Sequence, residues 1–344
     1  MAIPSFGAAT TMPPEENDEP AAAGGGKNMV HNKQGIDMLH GRIWTKVLRF
    51  ALPVAATGIL EQLFNASGIM IVGNFSQSDG TAAVAAVGSN APVTGLILNL
   101  FIGIALGANV VIANAIGRGS REAVRNAVHT SIVTALIGGV IVAIIGELLA
   151  GPLLGMLNVT ADVFPLALAY LRIYLIGMPV ILLYNFETAI FRSIGDTQAP
   201  LAVLAISGVL NVTMGLIFVV LFHWGVSGVA TATVIANVVS SMILLYRLVH
   251  TDAAIHVDLR EFGIDWFTLR QILRIGLPAG VQSAVFAVAN IIIQAAINSL
   301  GTVVMAASSA AFNIEIIAYY VLNSFSQACA TAVSYTHLTL PTIA

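Results

Sequence analysis

The chain has 344 residues, of which 57% are hydrophobic and only 9% charged, against roughly 25% charged in a soluble domain. Its net charge of −3, its single cysteine (Cys329) and seven histidines without paired spacing give no sign of a nucleic-acid partner, a metal site or redox chemistry, and rule out an intrachain disulfide framework. What remains is an all-α integral membrane protein, and the position of its few charges matters more than their sum.

Residues 1–41, with the runs PPEENDEP and AAAGGG, hold too little apolar surface to fold alone and read as a disordered tail. They lack the charged, apolar and small-residue regions of a cleaved signal peptide. After them come eight apolar runs of about 20 residues or more, the length that crosses roughly 30 Å of hydrocarbon. They cover approximately 46–72, 82–113, 126–149, 163–189, 199–222, 226–248, 272–297 and 302–333. Continuous apolar runs of this length are helices, not the short alternating strands of a barrel.

Thirteen of the 14 lysines and arginines fall on one side of this arrangement: before span 1, between spans 2 and 3, between 4 and 5, and between 6 and 7. The other connections (GNFSQSDG, GPLLGMLNVTAD, FHWGVSG and NSLG) have none, so the N-terminus is expected to be cytoplasmic and the location the cell membrane. The exception, Arg172, is expected to snorkel to the outer interface, as is Glu147. The basic connection RGSREAVRNAVHTS (118–131) is expected to anchor at lipid headgroups. Asn158-Val-Thr160 forms a glycosylation sequon in an outward loop.

An internal repeat organises the spans. VLRFALP (47–53) before span 1 returns as ILRIGLP (272–278) before span 7, an offset of 225 residues at which Asn65 meets Asn290. GTAAVAA (80–86) resembles GTVVMAA (301–307) slightly later. Six spans separate the copies, and an even number keeps their orientation, so the repeat is parallel, as in transporters with a substrate cavity between halves. The expected organisation is a first six-helix lobe over 42–250, an inter-lobe loop over 251–271 and two helices of a second lobe over 272–333. The polar, threonine-rich SYTHLTLPTIA (334–344) is unlike anything upstream, and reads as a truncation or foreign sequence.

The runs LEQLFNASGIMIVGNF, AAVGSNAPV, GANVVIANAIGRG, YLRIYLIGMP, YNFETAIFRSIGDTQAPL, GVSGVATATVIANV and FNIEIIAYYVLNSFSQA, in that order, resemble the multidrug and toxic compound extrusion (MATE) family. The resemblance covers about residues 42–333. It implies a two-lobe transporter of six-helix parallel repeats, here with a whole first lobe and one third of the second. It also implies an antiporter that expels organic cations or other amphipathic compounds in exchange for H+ or Na+, with no further cofactor. Two departures stand out. Gly68 and Gly215 occupy positions where many members carry the aspartates of the first lobe's ion site, whereas Asn185, Asn211 and Thr233 match its polar positions.

A carboxylate at mid-membrane costs about 2.5–3.5 kcal/mol on insertion scales, so it seeks a cavity or a partner. Glu61, Asn65 and Gly68 are spaced i, i+4, i+7 and share one helical stripe, expected to face the lobe interior. Two readings of Glu61 stand: a proton-exchanging acid, or a residue near the cytoplasmic end that pairs with a base such as Lys46. Glu187, five residues before Arg192, reads as a structural ion pair or interfacial acid. For Glu315 in FNIEIIAYY, cavity-facing and packing roles are equally open. The transport and ion-coupling candidates are thus Glu61, Asn65, Asn185, Asn211, Thr233, Asn290 and Glu315. Other asparagines serve interhelical hydrogen bonds, and GIALG (103–107) is a Gly-x-x-x-Gly pattern for close helix packing. Pro53, Pro92, Pro179 and Pro278 can bend their helices.

No phosphate loop, metal pair or nucleophile elbow is present, so no enzyme is expected. The expected partners are small amphipathic or cationic molecules and membrane lipids, with a monomer as the expected state. Two other functions stay open: a lipid or lipid-linked saccharide flippase, disfavoured because only Arg172 could hold a phosphate, and an inactive fragment.

Overall fold

A lone segment in hydrocarbon hides its N–H and C=O groups only as a helix, where each bonds within the segment. The computed structural model describes residues 43–76, 80–157, 159, 161–258, 263–298, 315 and 318–333. They form α1 (Ile43–Phe75), α2 (Gly80–Gly117), α3 (Arg121–Met156), α4 (Phe164–Ile176), α5 (Met178–Ser193), α6 (Gln198–Leu216), α7 (Gly225–Val249) and α8 (Trp266–Asn298). A ninth helix, α9, covers 318–333. The predicted tails 1–41 and 334–344, the sequon residues Asn158 and Thr160, and most of 301–317 in the predicted eighth span lie outside the described residues.

Among the described residues six helices are long and apolar enough to cross a membrane, and α4 with α5, bent by 53°, makes a seventh span. The bend falls at Gly177, with Pro179 in the first turn of α5, where its missing N–H is no loss. Pro53, Pro92 and Pro278 instead lie inside helices that run on past them. At the other end of α5, Gly195 takes φ +79°, which permits the turn into α6. Asp196 then caps α6, its Oδ1 accepting from the Gln198 and Ala199 N–H groups at 3.1 and 3.0 Å. Burial pushes the Asp196 carboxyl up, and the two capping N–H groups and Arg247 pull it back.

The basic connection 118–131 differs from its expectation. Gly119 turns the chain at φ +69°, Ser120 caps α3 by accepting from the Ala123 N–H at 3.3 Å, and the rest is the first three turns of α3 itself. Val128, His129, Thr130 and Ser131 are buried, so the segment is a packed helix start, with Arg118, Arg121, Glu122 and Arg125 turned outward. His129 and Thr130 hold the segment that links α7 to α8: His129 Nε2 accepts from the Asp258 N–H at 3.2 Å and Thr130 Oγ1 from the Asp265 N–H at 3.1 Å. Ala253, Ile255 and Val257 of that segment are buried. Asp265 then caps α8, accepting from the Phe267 N–H and the Thr268 hydroxyl.

α2 and α8 approach each other closely. A Cβ added at Gly103 would lie on the backbone of Gly280, one at Gly107 on the Ile272 carbonyl, and one at Gly276 within 2.6 Å of the Ile104 Cα. The GIALG pattern of α2 therefore meets Gly276 and Gly280, a second pattern of the same spacing, and the helices touch backbone to backbone. Small residues permit this in a membrane, where van der Waals contact must replace the hydrophobic drive between helices.

This crossing is vulnerable to a single side chain. Gly103→Leu is expected to force α2 from α8 at a cost of about 1–3 kcal/mol, the usual range for overpacking, and to lower the unfolding temperature in detergent; Gly88→Leu, at a position open around the added Cβ, should leave it unchanged.

Candidate functional site

The stripe of α1 stands in a cleft. Glu61 and Asn65 are exposed and Gly68 is half-buried, yet Glu61 does not look out at lipid. One turn before it on α1, the Tyr320 ring of α9 lies against Gly58, so this part of the helix borders α9. Lys46, the base expected as an alternative partner, has no partner for its ammonium among the described residues.

Gly68 and Gly215 lie where α1, α6 and α7 converge. A Cβ at Gly68 would come within 3.1 Å of Val229 Cγ1, and one at Gly215 would meet Ile71 Cδ1 at 3.5 Å and Ala232 Cβ at 4.0 Å. Thr233 follows Ala232 in α7, and Asn211 is one turn before Gly215 in α6, so these four positions share a neighbourhood. Thr233 Oγ1 donates within its helix to the Val229 carbonyl at 3.0 Å. Asn185, half-buried on α5, likewise donates within its helix to the Ile181 carbonyl at 2.8 Å. The Asn290 side chain lies outside the described residues; Glu315 is exposed, while its sequence neighbours lie outside them.

One further residue differs from its expectation. Glu187 is completely buried, and neither carboxyl oxygen has a hydrogen-bond partner among the described residues. It is neither interfacial nor in an ion pair with Arg192. Arg172 and Glu147, both partly exposed, pair with each other, Nε to Oε2 at 3.4 Å. Arg192 belongs to the last turn of α5 and is half-buried there.

Arg192 is also the residue that composition and spacing missed. Its Nη1 donates to Gln327 Oε1 of α9 at 2.7 Å, a charge-assisted bond across the seam between lobes. A second bridge runs beside it: Thr331 Oγ1 donates to Asn109 Oδ1 at 3.2 Å, while Asn109 Nδ2 donates to the Ala189 carbonyl at 3.2 Å. Around both, Ala328 of α9 packs with Val47, Phe50, Ala51, Val54 and Ala113, and the Tyr320 ring fills the place of a side chain at Gly58. No periodicity announces such a seam, because its partners are separated by 135 and 222 residues.

Known proteins share this architecture. The family model described as MatE matches residues 53–217. The probable multidrug resistance protein YoeA of Bacillus subtilis is 27% identical, covering 76% of this chain and 57% of that protein; the probable multidrug resistance protein NorM of Thermotoga maritima is 26% identical, covering 84% and 62%. A crystal structure of a MATE in the bent conformation superposes with a TM-score of 0.81 at 25% identity, over 89% of this chain and 68% of the other. The chain is similar to MATE transporters in both sequence and fold. A further solved relative, a transporter from Pyrococcus furiosus titled for the reverse polarity of its binding pocket, has a TM-score of 0.80 at 26% identity, over 89% of this chain and 67% of that one. The chain thus spans about three fifths of the length of the curated relatives it matches. MATE family members are transporters and not enzymes, and the apolar helices make this chain a multi-pass membrane protein.

The Asn109 bridge has a measurable weight. Asn109→Leu strips the Ala189 carbonyl and the Thr331 hydroxyl of a partner and is expected to cost about 0.6–2 kcal/mol, the range of interhelical hydrogen bonds in membranes, read as a lower unfolding temperature in detergent. An unchanged temperature would mean that the bridge carries no stability.

Proposed function

We propose that this protein works as a secondary antiporter in the cell membrane, exporting amphipathic or cationic small molecules in exchange for H+ or Na+, with its N-terminus in the cytoplasm. One observation carries the reading: a carboxylate exposed in the middle of α1, one turn from the place where the Tyr320 ring of α9 lies against Gly58. An acid so placed binds a cation or a proton, and an aromatic ring beside it suits a flat or cationic substrate. The names of the relatives support drug export as the class.

In this reading Glu61 exchanges the coupling ion, because Gly68 and Gly215 supply no carboxyl. Asn65 lines the same stripe, Asn211 and Thr233 line the floor around the two glycines, and Asn185, Asn290 and Glu315 complete the candidate set. A flippase reading is not favoured: Arg172, the arginine that the sequence offered for a lipid phosphate, already pairs with Glu147.

Cells that express the protein should tolerate a cationic dye better than controls, and Glu61→Gln should remove at least ten-fold of the gradient-driven dye efflux, or about 1.4 kcal/mol, without lowering the amount of protein in the membrane. Full efflux from Glu61→Gln would take Glu61 out of the mechanism, and dye retention by the wild type would sink the export reading.

A further inference from the structure

We propose that a polar cavity at the junction of α2, α3 and α8 binds the phosphate of an anionic membrane phospholipid, held between Arg118 and Arg274. The site lies apart from the candidate transport residues and goes beyond the antiport reading, standing whether or not that reading does.

The cavity opens just past the glycine crossing, where α2 ends and α3 and α8 begin. It encloses about 540 Å3, within the roughly 300–1,000 Å3 of small-molecule sites. It is lined by Asn114 of α2, Arg118 of the turn before α3, Glu122 and Asn126 of α3, and Gln271 and Arg274 of α8. This polarity answers no need within the protein. Neither arginine is in an ion pair among the described residues, and Asn114, Asn126 and Gln271 make no side-chain hydrogen bond among them. By contrast, Arg172 pairs with Glu147 and Arg192 with Gln327. Two guanidinium groups that line one cavity repel each other until an anion comes between them. Their planar forks match phosphate oxygens two bonds at a time, and the three amides supply further donors.

The acids decide which phosphate fits. Asp265 also lines the cavity, but its carboxylate is already engaged at the start of α8, accepting from the Phe267 N–H at 3.1 Å and the Thr268 hydroxyl at 2.6 Å. That leaves Glu122 against two arginines, a balance that favours a ligand of net negative charge over a zwitterion. The rim favours a lipid over a free ion. Phe267 and Ile275 line the cavity and are 71% and 40% exposed, and the neighbouring Trp266 is 75% exposed. Aromatic rings at the end of a spanning helix sit at headgroup depth, and basic pockets between helices at that depth take anionic headgroups. The start of α3 thus meets lipid through a cavity that it shares with α8, and not as a helix lying on the bilayer.

Native mass spectrometry of the full chain in detergent, titrated with dioleoyl phosphatidylglycerol, measures this site directly. The wild type should hold that lipid roughly ten-fold more tightly than dioleoyl phosphatidylcholine, whose phosphate carries a cation beside it. Arg118→Gln and Arg274→Gln should each weaken it about ten-fold, whereas Glu122→Gln, which removes the opposing acid, should tighten it. Arg121→Gln alters an arginine outside the cavity and should change nothing. All four side chains are exposed, so the fold does not depend on them. Equal binding of the two lipids would overturn the proposal, as would an equal loss from Arg121→Gln and Arg118→Gln. Displacement of phosphatidylglycerol by inorganic phosphate would overturn it too, by assigning the cavity to a soluble ion.

Discussion

The crossing of α2 and α8 is the contact on which the rest of the arrangement depends. Helices in hydrocarbon gain little from apolar side chains that lipid would solvate equally well, and hold together where backbones come close enough for dense contact. Gly103 and Gly107 on one side, Gly276 and Gly280 on the other, remove every Cβ from that contact. The second lobe begins at α8, so its place is set here. From it follows the berth of α9 against Phe50, Ala51 and Ala113, which brings Gln327 and Thr331 to Arg192 and Asn109. Glycine contact supplies the rigid part of the junction and the polar ties supply the part that can change.

The division of labour is consistent with how the charges are spent in this chain. Gly68 and Gly215, where the family resemblance implies acids, are both packed against neighbouring side chains, Gly68 more tightly than Gly215. A further acid, Glu187, is sealed inside the helix bundle with no hydrogen bond among the described residues, and Arg172 pairs with Glu147.

Much of the fold was legible from residue order alone. Seven of the eight apolar runs became spans, most within a few residues of their expected limits, and Gly103 with Gly107 packed as their spacing predicts. The repeated Arg-x-x-Leu-Pro falls inside a long helix both times, in α1 and in α8. Local signals did less well where tertiary packing decides. Pro179 marks a bent span while Pro53, Pro92 and Pro278 lie inside helices that run on, and a glycine two residues before does not separate them, since Gly276 precedes Pro278 as Gly177 precedes Pro179. The connection 118–131 has the basic, amphipathic pattern of a headgroup helix, but Ser120 caps it into α3 and its apolar side is buried by the bundle. The seam was invisible for a simpler reason: Arg192 and Gln327 become partners only when the α2–α8 crossing brings distant halves together.

The central claim, that a proton and a substrate compete for one cleft through Glu61, has a direct measurement. Adding a cationic dye to the purified protein in weakly buffered detergent should release protons, read with a pH indicator, and Glu61→Gln should bind the dye with no release. Equal proton release from wild type and Glu61→Gln would contradict the account.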